Sequence, residues 1–215
     1  MEEITKNKYV RAAIKIFWIF VICSFLGSII EMGYVIVHAN KIEIRRGLIY
    51  GFFVQVYGMG AVAYYILCNK VKKPYKVFLI GMIMGGVIEY IFSLLQEIFL
   101  GSVSWDYSDR FLNFNGRTCL QYCIYWGIIA IVFLKLIYPL IQKMDKIIYT
   151  KIFTLITVFM LIYMSINVWI STVAVIRQEE RKEHIPASSK FEEYLDRKFP
   201  DEFLQEIYQN KKSFD

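Results

Sequence analysis

Two glutamates, Glu31 and Glu89, lie inside long apolar runs of the chain. A charge at the depth of a bilayer costs about 2.5–3.5 kcal/mol even on the most lenient scale. Each carboxylate must therefore face protein, water or a counter-charge, or take up a proton. A paired carboxylate would stay ionised, whereas an unpaired one could carry a proton. Charged residues at such positions mark a ligand, ion or proton site by default.

Glu89 also begins a polar stripe. Glu89, Ser93 and Glu97 follow one another at intervals of four residues, so they lie on one face of a helix. Small residues let membrane helices approach closely. They occur just before the stripe and in the preceding apolar run, at Gly81, Gly85, Gly86, Gly58 and Gly60.

Membrane helices must position these residues. Hydrophobic residues make up 57% of the 215 residues and the mean hydropathy is +0.42, whereas a soluble domain is about 45–50% apolar. Five runs are long enough to cross a hydrocarbon core of about 30 Å: residues 16–39, 48–69, 77–100, 118–141 and 152–176. Because lipid offers backbone groups no water, the sequence predicts an all-α bundle of about five transmembrane helices over residues 1–176. The first run reads as an uncleaved signal anchor.

Lysine and arginine in the short loops predict the orientation. Eleven lie in the N-terminal segment and in the second and fourth loops, against five in the first and third loops. The N-terminus is therefore expected in the cytoplasm of a plasma-membrane protein, with the C-terminal tail outside. Three basic residues close after the last run oppose the outer placement of the tail: Arg177, Arg181 and Lys182.

Cysteine and histidine offer little chemistry. The four cysteines lie within or at the ends of the apolar runs, which is not a disulfide framework. Cys119 and Cys123 share a helix face, but no histidine converges on them, so packing is favoured over metal binding. The chain has two histidines, His38 and His184, which gives little support for a histidine-based catalytic triad. We expect no metal, cofactor or catalytic residue, and the absence of a basic soluble domain argues against nucleic acid.

The first and third loops share the predicted outer side, together with the outer halves of three helices. The sequence therefore predicts an outward-opening polar pocket with the third loop as its lid. The expected counter-charges of Glu31, Glu89 or Glu97 are Arg46 and Arg117. The candidate ligand-binding residues are Glu31, Arg46, Gln55, Tyr57, Glu89, Glu97, Trp105, Asp106, Tyr107, Asn113 and Arg117.

A structural interpretation of the same residues stays open. Intramembrane Glu–Arg pairs and Gly–Tyr contacts can fix helix packing, and the third loop can be a rigid plug. Trp105 and Tyr107 also suit the aromatic belt at a membrane interface, which needs no ligand.

The tail, residues 177–215, has a different composition. Ser189 and Glu192 form a capping box that predicts a short helix, with Phe191, Tyr194 and Leu195 on its apolar face. Pro200 ends it, and residues 201–208 predict a second helix. The tail is expected to dock on the membrane or the loops, or to cap the pocket or bind a partner.

Several motifs together carry a family resemblance. They are Arg46-Gly47, Tyr57-Gly58, Glu89-Tyr90, Trp105-Asp106-Tyr107-Ser108, Asn113 and Gly116-Arg117-Thr118-Cys119-Leu120. This order resembles the bacterial family labelled "putative ABC-transporter type IV", the CmpB-like permeases, and is similar to the vertebrate transmembrane protein 229 group. One departure is residues 51–58, which carry no proline where the family pattern has them.

The resemblance implies a transport role, with two alternatives left open. The chain has no G-x-x-x-x-G-K-[ST] motif, so a permease would need a separate ATPase subunit, and a bundle of this size is expected to form a homodimer. One alternative is a membrane-embedded enzyme or binding protein for a lipid or lipid-linked substrate, although no nucleophile constellation is evident. The other is a structural or partner-binding membrane protein.

Overall fold

The computed structural model describes residues 7–213, and within them the chain is almost entirely helical. The helices are α1 Lys8–Ala39, α2 Gln55–Cys68, α3 Pro74–Leu100, α4 Leu120–Val132, α5 Tyr138–Lys143, α6 Asp145–Ile148, α7 Lys151–Lys182, α8 Lys190–Lys198 and α9 Asp201–Ile207. A π-helical turn, Phe133–Ile137, joins α4 to α5. Two short antiparallel pairs link β1 Ser102–Val103 with β4 Lys212–Ser213, and β2 Asn113–Phe114 with β3 Thr118–Cys119. The predicted all-α membrane bundle is confirmed.

Four helical segments in the described part of the chain are long and apolar enough to cross a membrane: α1, α3, α7 and the continuous run Leu120–Lys143. They coincide with four of the five predicted runs. The remaining run, residues 48–69, contains α2, which has 14 residues. Such a helix extends only about 21 Å, short of a core of about 30 Å.

The second run nevertheless enters the bundle as irregular chain before α2 begins. The amide of Val54, just before α2, donates to the carbonyl of Ser24 over 2.9 Å. Ser24 lies at the middle of α1, so α2 begins at mid-depth. Residues 47–53 form a closed irregular loop at this depth, because the amide of Gly47 donates to the carbonyl of Phe53 over 2.8 Å.

Polar side chains of α7 form hydrogen bonds with backbone groups of the irregular segment. The Asn167 amide group donates to the carbonyl of Tyr50 over 2.5 Å and its oxygen accepts from the amide of Tyr50 over 3.2 Å. The hydroxyl of Ser171 accepts from the amide of Ile49 over 2.9 Å. Both α7 side chains are buried. Irregular backbone at membrane depth is tolerated where protein supplies such partners.

Glycines bring α3 against α4. A Cβ on Gly85 would overlap the ring of Trp126, and one on Gly81 would overlap Ala130. The close helix approach expected from these small residues is therefore observed, and it places Trp126 in the main apolar core together with Tyr64 and Ala130.

The two ends of the bundle differ. At one end Lys15 of α1 pairs with Asp145 over 2.6 Å, and Arg11 stacks on the ring of Tyr149. The first and third loops and the tail meet at the opposite end, which we call the loop end. The N-terminal segment and the fourth loop thus share an end, as their positive charges predict.

Replacing Asn167 by Leu should destabilise the protein. Leucine keeps a similar volume but leaves the amide of Tyr50 without its partner, which costs about 1–3 kcal/mol; the carbonyl of Tyr50 keeps the hydroxyl of Tyr163 at 3.3 Å. Thermal melting of the detergent-purified protein should show a lower midpoint. Ser165→Ala, at an exposed position of the same helix, is the control. An Asn167→Leu protein that melts with the parent would show that this side chain does not hold the segment.

Candidate functional site

The third loop ends in a tight hairpin, in which β2 pairs with β3. Asn115 and Gly116 both have positive φ, 49° and 67°, the conformation that an Asn-Gly pair favours in a tight hairpin turn. The amide of Arg117 donates to the carbonyl of Phe114 over 2.9 Å and closes this turn. A Cβ on Gly116 would also collide with Asp106, so only glycine fits here.

Side chains brace the rest of the loop. The amide group of Asn113 donates to the carbonyls of Ser108 and Arg110, at 3.1 and 3.0 Å. The carboxylate of Asp106 accepts from the hydroxyl and the amide of Ser108, at 2.6 and 3.0 Å. These two bonds lower the pKa of Asp106. Asn113 therefore shapes the loop rather than facing a cavity.

The loop lies along the polar stripe of α3. The guanidinium of Arg117 pairs with Glu97 and donates to the hydroxyl of Ser93 over 3.3 Å. One position further, the hydroxyl of Thr118 donates to Glu89 over 2.7 Å. Each member of the stripe thus contacts one short segment, and Arg117 is the counter-charge of Glu97 but not of Glu89.

Glu89 receives a second hydroxyl from the loop. The Tyr107 hydroxyl donates to it over 3.1 Å. Burial and the neighbouring carboxylate raise the pKa of Tyr107, so its hydroxyl remains a donor. The hydroxyl of Tyr57 lies beside Glu31, and the two glutamates are near enough to act on each other electrostatically.

A cavity of about 950 Å³ opens beside both glutamates at the loop end. α1, α2, α3, α4, the third loop and the tail all contribute to its lining. Its polar and aromatic lining residues are Glu31, Tyr34, His38, Arg45, Tyr57, Glu89, Ser104, Trp105, Asp106, Tyr107, Ser108, Asp109, Arg110, Tyr122, Tyr125, Trp126, Gln209, Asn210, Lys211 and Lys212.

Aromatic rings line the cavity in two groups. Tyr107 of the loop stacks on Tyr122 of α4, with ring centroids 4.2 Å apart and planes 20° apart. Tyr125 meets Tyr122 edge-on at 5.6 Å, and Tyr57 contacts Trp126 at 5.0 Å. The hydroxyls of Tyr122 and Tyr34 join α4 to α1 over 3.4 Å.

Six of the predicted site residues line this cavity: Glu31, Tyr57, Glu89, Trp105, Asp106 and Tyr107. The other five lie elsewhere. Arg46 reaches the carbonyl of Ile49 at 3.5 Å and the face of Phe52. Gln55 lies against Gly47. Glu97, Arg117 and Asn113 fix the third loop, as described above.

Several other residues that line the cavity were not predicted from the sequence. Arg45 rather than its neighbour Arg46 faces the cavity, and Arg110, Tyr34, Tyr122 and Tyr125 also belong to it. Tyr122 and Tyr125 lie three residues apart in the first turns of α4, and this spacing could have identified them. No comparable pattern marks Arg45, because it precedes an irregular segment.

The family model described as "putative ABC-transporter type IV" matches residues 18–172, well over half of the chain. The chain belongs to this family. Family membership and the four apolar helices together identify an integral membrane protein. No curated protein and no solved structure matched the chain.

The tail of this ABC-transporter type IV family member lies beyond the matched residues and is clamped by charge. Arg177, only 3% exposed, binds both oxygens of Asp196 at 2.8 and 3.0 Å. Arg181 pairs with Asp196 over 2.5 Å and with Asp201. The arginines that argued against an outer tail are therefore occupied by the tail's own carboxylates.

The tail helices form as predicted, with a narrower buried face. Ser189 caps α8 by accepting from the amide of Glu192. Leu195 of α8 and Leu204 of α9 are buried, whereas Phe191 and Tyr194 are exposed. Phe191 instead stacks on Trp169 of α7, at 5.5 Å.

Beyond the helices the tail reaches the cavity. The side chain of Asn210 donates to the carbonyl of Ser104 over 2.9 Å, next to the β1–β4 pairing. Residues 209–212 line the cavity.

Acid should release the tail. Burial alone would raise the pKa of Asp196, but hydrogen bonds from Arg177 and Arg181 outweigh it and lower the pKa. A carboxyl with a lowered folded pKa contributes stability above its unfolded pKa, about 3.9, and loses it as pH falls through the folded pKa. Hydrogen exchange of residues 190–207, corrected for intrinsic rate, should therefore accelerate below about pH 4.

The Asp196→Asn variant should exchange faster already at neutral pH and change less on acidification. Glu193→Gln, at an exposed position of the same helix, should behave like the parent. Parent protection that is unchanged between neutral and strongly acid pH would contradict the charge clamp.

Proposed function

We propose that this chain is the membrane component of a transport system and that its cavity is the solute-binding site. The main support for this proposal is a cavity of about 950 Å³ whose lining includes two carboxylates of the spanning helices, Glu31 and Glu89. This volume lies within the range of small-molecule sites, about 300–1,000 Å³. Intramembrane carboxylates that face such a cavity are typical of substrate and ion pathways.

The cavity opens to the outer face of the plasma membrane in this proposal, with the N-terminus in the cytoplasm. The support is the excess of lysine and arginine near the N-terminus and in the second and fourth loops. Arg177 and Arg181 carry less weight as topological signals, because both are paired with tail carboxylates.

In this proposal, partner subunits would supply the energy of ATP hydrolysis and complete the transport path. The family description names an ABC transporter, and this chain has no P-loop, so a separate ATPase subunit would bind at the end opposite the cavity. A second copy of the chain would enclose the path, since homodimers are the commonest symmetric assembly.

The pairing of four arginines favours transport over lipid chemistry. An enzyme acting on a phosphate headgroup needs available cations beside Glu89. Arg117 is instead occupied by Glu97, and Arg46 by the carbonyl of Ile49. The two arginines that line the cavity, Arg45 and Arg110, face Glu43 and Asp109. A purely structural role does not explain why a space of this size remains beside two carboxylates.

Transport can be tested without knowing the solute. The protein is purified from its native membrane with any ATPase that accompanies it, and is reconstituted into proteoliposomes. The vesicles are incubated with a small-molecule extract, with and without ATP, and their contents are analysed by mass spectrometry. The parent should enrich or deplete at least one solute relative to empty vesicles.

The Glu31→Gln, Glu89→Gln double variant should reduce this movement at least about tenfold, because each substitution removes a charged hydrogen-bonding group. Glu206→Gln, an exposed change in α9, should move solutes like the parent. Equal movement by the double variant and the parent, or no movement by the parent under either condition, would overturn the proposal.

A further inference from the structure

We infer that the cavity binds a small organic cation, with a substituted ammonium group held between Glu31 and Glu89 and the tyrosine wall. This inference rests on the proposed function and adds the chemical class of the solute. It depends on the charge balance of the lining, on its aromatic rings and on the number of oxygen ligands that a metal ion would need.

The cations of the lining are paired, two of them with carboxylates that they share. Arg45 shares Glu43 with Lys41, and Lys211 shares Glu179 with Lys182. Arg110 lies 3.7 Å from Asp109, and Lys212 lies 3.9 Å from Asp106. Each of the four basic side chains of the lining thus faces a carboxylate.

The two deep carboxylates are not matched. Within residues 7–213, no ion pair within 4.0 Å includes Glu31 or Glu89. Glu89 accepts from the hydroxyls of Tyr107 and Thr118, and Tyr57 lies beside Glu31. Arg45 acts on Glu31 only through space. When both glutamates are ionised, the depth of the cavity carries negative charge with no basic side chain in salt-bridge contact, and a cationic ligand would neutralise it.

The walls suit an alkylated cation. Tyr107, Tyr122 and Tyr125 form one stacked and edge-on group, and Tyr57 contacts Trp126. Aromatic faces attract cations through their quadrupole, and cages of such rings bind quaternary ammonium ligands. The alkyl groups of such a ligand also gain from leaving water beside apolar ring surface.

A bare metal ion fits the cavity less well. A hard cation needs about six oxygen ligands at short range. In the described part of the chain, no three His, Cys, Asp or Glu side chains converge as a metal site would require. The space of about 950 Å³ also far exceeds what one ion would fill.

The test compares two probes of nearly equal shape. Choline carries a quaternary ammonium, and 3,3-dimethylbutan-1-ol replaces that nitrogen by carbon. Each is titrated into the purified full-length protein in nanodiscs, with heat and tryptophan fluorescence as readouts, since Trp105 and Trp126 line the cavity. Choline should bind saturably and at least about tenfold more tightly than the neutral alcohol.

Variants locate the binding. Glu31→Gln and Glu89→Gln should each weaken choline binding by about tenfold or more, whereas Glu206→Gln should not change it. Tyr122→Leu should weaken it by about twofold to fivefold, and Tyr122→Phe, which keeps the ring, should retain it. Hydrogen exchange of each variant checks that the fold is intact.

Equal binding of the two probes, no binding of choline, or binding that ignores both glutamates would overturn the cation class. A proteoliposome experiment in which only anionic or neutral solutes move would overturn it too, while leaving transport standing. Glutamate-dependent choline binding without movement of any solute would support the cation site and remove the transport proposal.

Discussion

The need to satisfy backbone polar groups inside the membrane shapes this molecule. Residues 47–54 lie at mid-depth as an irregular loop, which the amide of Gly47 closes on the carbonyl of Phe53 over 2.8 Å, and neighbouring helices supply further partners. The amide and carbonyl of Tyr50 pair with Asn167, and the amide of Val54 pairs with α1. This arrangement makes α2 begin at mid-depth, with Tyr57 in its first turn beside Glu31. The cavity lies against that turn, so its floor depends on the same hydrogen bonds.

Charge is sorted by depth. Near the loop end, opposite charges are paired between the third loop and the tail, as at Asp106 with Lys212, and between α7 and the tail, as at Arg177 with Asp196. Deeper in the bundle, Glu31 and Glu89 face hydroxyl groups instead of basic side chains. Pairs near the surface contribute little energy individually, but they leave the deep carboxylates as the dominant unbalanced charge of the site.

Sequence reasoning recovered the features that depend on local pattern. Apolar runs identified the spanning helices, and four-residue spacing identified the stripe that the third loop follows. It missed the irregular loop before α2, because residues 48–69 are as apolar as a full span. The residue that supports this loop, Asn167, lies 117 positions from Tyr50, and nothing in the sequence distinguishes it from the other small polar residues of the same apolar run. Which of Arg45 and Arg46 faces the cavity depends on an irregular backbone without periodicity.

The β1–β4 pairing imposes an order on assembly. Residues 209–212 form part of the cavity wall, yet they follow all four apolar helices of the described part of the chain. During synthesis, those four helices leave the ribosome before these residues do. The cavity wall can therefore close only after the tail has folded back on β1, so an incompletely synthesised chain would carry both glutamates in an unfinished cavity.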